Sequence, residues 1–202
     1  MSTSRARVVA VGLFVATVVQ LVVAATASNL PQFEDKAFGA RLVVYPMLML
    51  LAPVVWWLRR GRPRRGAGAE GQPARPPWDA FAVLMVPFFV DVTGNSLDLF
   101  DRVVWWDDAL HLVNWFLVCL GLGLVLLPGV VAPRWVVAGL VTGGGALLAV
   151  VWELGEWYTF IRQGTELATA YQDTLGDEVL GTTGAALAAV VLLRRRRRAD
   201  VR

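Results

Sequence analysis

The chain has 202 residues, 56% apolar and 17% charged, with nine tryptophans, one histidine, one cysteine and a net charge of +3. Its apolar runs of 17 or more residues are too long and too uncharged for the core helices of a soluble domain, so the chain is a polytopic membrane protein. The lone Cys119 excludes an internal disulfide, and basic residues on such a chain set orientation and meet anionic lipid rather than read nucleic acid.

The predicted fold is all-α, a single integral membrane domain over 1–202 with about six transmembrane helices. The first, 8–27, follows Arg5 and Arg7 and ends in Ala25, Thr26 and Ala27, small residues that imitate a signal-peptide cleavage site. At about 20 residues the run exceeds the roughly 7–15 of a signal core, which favours a retained helix. The second helix is expected over 37–58. The stretch 59–79 is rich in Arg, Gly and Pro, cannot bury enough apolar surface to fold, and reads as a flexible basic cytoplasmic loop. The third helix, 80–97, carries Asp91 and Asn95 and runs into Asp98. The fourth, 109–127, is preceded by Asp107 and Asp108 and holds His111. The fifth, 135–160, holds Glu153 and Glu156 near its far end. The sixth, 177–193, is entered through Asp173 and Asp177 and leaves into an Arg-rich cytoplasmic tail, 194–202.

Orientation follows from the arginines, because short cytoplasmic loops hold the excess of Lys and Arg. In a six-span arrangement 15 of the 19 basic residues fall on one side, against Lys36, Arg41, Arg102 and Arg162 on the other. Both termini are therefore expected in the cytoplasm. Of the 16 acidic residues only Glu70, Asp79 and Asp200 share the basic side, so the outer face is acidic.

Charge inside or at the rim of a lipid-spanning helix is costly and by default marks a functional site. At 1.5 Å per residue from the basic end, Asp91 lies at roughly 18 Å, and Asn95, His111, Asp177, Asp98, Glu153 and Asp107 at roughly 24–30 Å. Against a core about 30 Å thick, all gather toward the outer interface. Asp107, His111 and Asn114 follow i, i+4, i+7, which stacks a carboxylate on an imidazole, and Asp108 stands three before His111. Glu153 and Glu156 are three apart; Asp173 and Asp177 are four apart, and their stripe continues through Gly181, Gly184 and Ala188. Gly143, Gly144, Gly145 and Ala149 precede Glu153 in the same manner, so tightly packed helices are expected beneath a polar cup.

The order Asp-x-x-x-His (Asp107, His111), Glu-x-x-Glu-Trp (Glu153, Glu156, Trp157) and Asp-x-x-x-Asp before a Gly-rich helix (Asp173, Asp177, Gly181, Gly184) resembles the YjdF-like bacterial inner-membrane proteins. It is similar, more loosely, to the VanZ-like family associated with glycopeptide resistance. The resemblance covers the C-terminal half, about 91–189, and implies a multi-pass protein of the bacterial inner membrane.

Three functions are open. Asp107, Asp108, His111, Asp173 and Asp177 would bind a divalent cation, with Glu153 or Glu156 as general base for chemistry on a lipid-linked or cell-envelope substrate. Alternatively, the acids and His111 would relay ions or protons, Asp91 near mid-membrane being the residue in favour. In the third reading they are helix-end and surface groups of a membrane scaffold, stabilised by helix dipoles.

Overall fold

The computed structural model describes residues 2–34, 36–60, 75–159, 161–163 and 168–200. Most of the expected basic loop and the last two residues of the tail lie outside these. The elements are α1 (Thr3–Thr26), α2 (Phe38–Arg60), α3 (Trp78–Ser96), α4 (Leu99–Arg102), α5 (Trp106–Leu126), α6 (Arg134–Thr159), a single 3-10 turn (Ile161–Gln163) and α7 (Ala170–Asp200). Among the described residues there is no strand. Helix is what apolar runs must form in lipid, because no water satisfies their backbone groups.

Helices α1, α2, α5, α6 and α7 are long and apolar enough to cross a membrane. The sixth long helix, α3, has 19 residues, carries Asp79, Asp91 and Asn95, and packs against α1, α2 and α5. Its polar groups find partners on a neighbour or on its own backbone: the Thr93 hydroxyl is 3.1 Å from Gln20 Oε1 of α1, and Asn95 Nδ2 donates to the Asp91 carbonyl of α3 itself at 3.0 Å. Pro46 and Pro53 lie inside α2 and Pro87 inside α3, where each removes one backbone donor, as membrane helices in a bundle tolerate.

Contacts at the helix ends fix an up-and-down arrangement. At one end Arg7 lies 5.9 Å over the Trp78 ring, and Arg196 donates to the Val130 carbonyl between α5 and α6. At the other, Lys36 pairs with Asp101 of α4. Asp98, before α4, has φ 59° and accepts from Arg102 Nε at 2.6 Å, which holds its carboxyl below the usual carboxylate range. The start of α1 thus stands at the first end, together with Arg134 and the Arg-rich end of α7.

The buried residues of α1 (Ala6, Ala10, Thr17, Leu21 and Ala24) recur at spacings of three, four and seven, one seam facing the bundle. Ala10 packs with Met49, Ala52, Phe81 and Met85, and Leu21 with Phe38, Tyr45 and Val92. A further cluster joins Cys119 and Leu120 of α5 to Ala185, Ala188 and Leu192 of α7.

Glycine determines how close α5, α6 and α7 come. A Cβ on Gly184 would strike the Leu112 carbonyl oxygen and come within 2.9 Å of Phe116 N, so the α7 backbone lies directly on α5. A Cβ at Gly181 would lie 2.8 Å from the Trp115 ring, and Gly145 opposes Ala185 and Cys119. The expected stripe on α6 is narrower than its sequence: Gly145 and Ala149 face α7, whereas Gly143 and Gly144 face open space, since each residue turns the helix by about 100°.

The last helix starts at Ala170, seven residues before the expected 177. Its first two turns, through Tyr171, Gln172, Asp173 and Thr174, are too polar to join an apolar run, yet they are helical. Asp177 is therefore an interior residue of α7, two turns in, and not a cap.

Candidate functional site

Three helices converge on His111. It lies in the second turn of α5, its side chain only 8% exposed, and its Nδ1 is buried without a hydrogen-bond partner. Glu153 Oε1 of α6 lies 3.8 Å from that nitrogen and Asp177 Oδ1 of α7 3.5 Å, with side-chain exposures of 8% and 3%. On the opposite edge of the ring, Asp107 Oδ1 lies 3.7 Å from Nε2. Asp107, one helical turn before His111, is itself half-buried. The Gly181 and Gly184 contacts below are what bring α7 near enough for Asp177 to reach the imidazole.

These separations exceed ordinary hydrogen bonds. They match instead the spacing of ligand atoms around a small cation, since two atoms each about 2.1 Å from an ion at a tetrahedral angle stand about 3.4 Å apart. One ligand atom from each of Asp107, His111 and Asp177 lies within 4.8 Å of the others, as does one from each of His111, Glu153 and Glu156. Imidazole with carboxylates suits a transition metal such as Zn or Mn. Burying several carboxylates together is costly unless a positive charge joins them.

A second polar group adjoins the first. Asp91 Oδ2 accepts from Arg41 Nη1 at 3.1 Å and from the Tyr45 hydroxyl at 2.9 Å, tying α3 to α2. The Tyr45 ring lies 6.3 Å from the Trp152 ring, and Trp152 Nε1 donates to Glu156 Oε1 at 3.0 Å. Arg41 is close enough to act electrostatically on Glu156 and Asp107 as well as Asp91. A continuous layer thus runs from Arg41 and Asp91 through Tyr45 and Trp152 to Glu156 and His111.

Of the residues singled out from sequence, Asp107, His111, Glu153, Glu156 and Asp177 come together. Asp108 and Asp173 are exposed, beside the group but outside its closest set. Asp91 belongs to the Arg41 pair; Asn95 is buried behind it, and Asp98 turns to Arg102 in the connection from α3 to α5. Asn114 sits one turn below His111 with its Oδ1 buried and without a hydrogen-bond partner. Arg41, Tyr45 and Trp152 carry much of the layer and were not singled out, nor was Thr174 beside Glu153. An arginine one turn inside an otherwise apolar helix was the available signal for Arg41.

No curated protein and no solved structure matches the chain. A family model described as "Predicted membrane protein (DUF2238)" matches residues 8–198, nearly the whole of it, including every residue of the polar layer. The chain therefore belongs to the DUF2238 family of membrane proteins, the YjdF-like family its acidic and histidine motifs resemble.

Proposed function

We propose that this protein binds a divalent cation at the outer end of its helix bundle and uses it in binding or chemistry on a lipid-like or cell-envelope substrate, in the inner membrane of a bacterium. The observation that carries this is His111 Nδ1: a buried nitrogen with no hydrogen-bond partner, faced by buried carboxylates from two other helices. With Asp107 facing Nε2 at 3.7 Å, the tautomer protonated there leaves the lone pair on Nδ1 free to ligate alongside Glu153 and Asp177, in the manner of a carboxylate set behind a metal-binding imidazole. A bound cation would lower the pKa of a ligated water, and Glu156, held by Trp152, is placed to take its proton. The distribution of basic residues supports an outward-facing site.

A conduit for ions or protons draws less support. Cys119, Leu120, Ala185, Ala188 and Leu192 pack together beneath the layer, and an apolar plug relays no protons. The test is metal analysis and titration of purified protein with Mn2+ and Zn2+. One ion per chain is expected, lost in His111→Ala and bound at least about tenfold more weakly in Glu153→Gln and Asp177→Asn. Unchanged stoichiometry in His111→Ala, with the variant folded, would falsify the proposal.

A further inference from the structure

A groove of about 370 Å3 runs along the outer half of the seam between α6 and α7, on the side of Glu153. Its walls combine two kinds of side chain. Trp157 and Tyr171 are aromatic and largely exposed, at 49% and 80%; Glu153, Thr174 and Glu178 are polar. Glu178 is half-buried and close enough to Glu153 for the two charges to act on each other. Val150, Leu154, Ile161 and Ala170 form the rest of the wall, most of which is apolar.

We propose that this groove receives the ammonium group of a membrane lipid headgroup, of the ethanolamine kind. Charge complementarity selects the occupant. Glu178 repels an anionic headgroup, and a purely apolar chain would leave its half-buried carboxylate without a partner. An ammonium group meets Glu178 through charge-assisted hydrogen bonds and the faces of Trp157 and Tyr171 through cation–π attraction. Both aromatic residues lie near the outer ends of their helices, at the level where amphipathic rings meet headgroups. The groove is open at the surface between two helices long and apolar enough to cross a membrane, so a lipid enters without leaving its leaflet. Glu153 belongs both to the groove and to the His111 layer, which places the remainder of the headgroup beside the proposed cation.

This inference deepens the proposed function by naming the substrate class of the same site, and it is tested separately from it. Purified full-length protein in detergent is titrated with phosphatidylethanolamine or phosphatidylglycerol of identical acyl chains, and bound lipid is counted by native mass spectrometry. Phosphatidylethanolamine should bind more tightly by about tenfold, and Trp157→Leu and Glu178→Gln should each remove most of that preference. Leu140→Ala, on a lipid-facing surface far from the groove, should leave it unchanged. Metal binding should persist in Glu178→Gln, because Glu178 stands outside the His111 group. Equal binding of the two lipids, or a preference for phosphatidylglycerol, overturns the inference whatever the metal result. A wild-type protein that prefers phosphatidylethanolamine but takes up no ion sinks the metal reading and leaves the groove assignment standing. Should one variant fail to fold, the wild-type comparison of the two lipids still decides.

Discussion

The Trp152 indole hydrogen-bonds Glu156, one turn further along α6, at 3.0 Å, while its ring face leans on Tyr45 of α2. One side chain thereby fixes a carboxylate of the His111 group against a helix that contributes nothing to that group directly. Trp152→Phe keeps the ring contact and removes only the hydrogen bond. Metal affinity should fall by about tenfold, the usual cost of losing a group that orients a ligand, with little change in melting temperature. Calorimetric titration beside a thermal melt checks this. A large loss of stability with unchanged affinity would mean that Trp152 merely packs.

The Arg41–Asp91 pair has unequal halves. Removing Asp91 leaves Arg41 beside Glu156 and Asp107, whereas removing Arg41 leaves Asp91 with the Tyr45 hydroxyl and adds a further buried negative charge to an acidic layer. Arg41→Met should therefore cost about 3 kcal/mol, in the range for breaking a buried pair, and Asp91→Asn about 1 kcal/mol. Unfolding of both variants in mixed micelles measures the difference. Equal losses would show that Glu156 and Asp107 do not sense the guanidinium.

Gly184 and Gly143 make opposite predictions from the same residue type. A methyl group at Gly184 strikes the α5 backbone, which cannot yield as a flexible side chain would; one at Gly143 meets nothing within 4 Å. Gly184→Ala should lose about 1–3 kcal/mol and, by pushing Asp177 away from His111, weaken metal binding. Gly143→Ala should be neutral in both measurements, and a loss there equal to that at Gly184 would contradict the packing.

Long apolar runs and the gathering of the acids toward one end of the helices were legible because each is a property of one segment. So was the side-by-side spacing of Asp107 and His111, which a single helix imposes. What could not be read was which helices pair. Arg41, Tyr45 and Trp152 belong to segments whose composition is otherwise apolar, and their partners lie 50, 46 and, through the Tyr45 ring, over 100 residues away in the chain. The early start of α7 was hidden for a different reason: its first turns are polar, so hydropathy does not register them although they continue the helix. The width of the α6 glycine stripe was misjudged because three consecutive glycines point in three directions, and only the neighbour reveals which one matters.

The orientation carries the proposed function with it, because a site facing the cytoplasm would meet a different set of substrates. Val104 and Val131 offer a direct test: both are almost fully exposed, at 98% and 99%, and they lie at opposite ends of the bundle, before α5 and between α5 and α6. Each becomes a single thiol reporter in a Cys119→Ala background, where Cys119 is buried and its replacement by a smaller side chain leaves the fold in place. With the basic residues inside, Val104→Cys should react with a membrane-impermeant maleimide in intact cells, and Val131→Cys only after the membrane is opened. The His111 group is at the Val104 end, since Lys36, Asp101 and the first turn of α5 all stand there. Labelling of Val131→Cys alone in intact cells would turn the site inward and redirect the search for its substrate to the cytoplasmic leaflet.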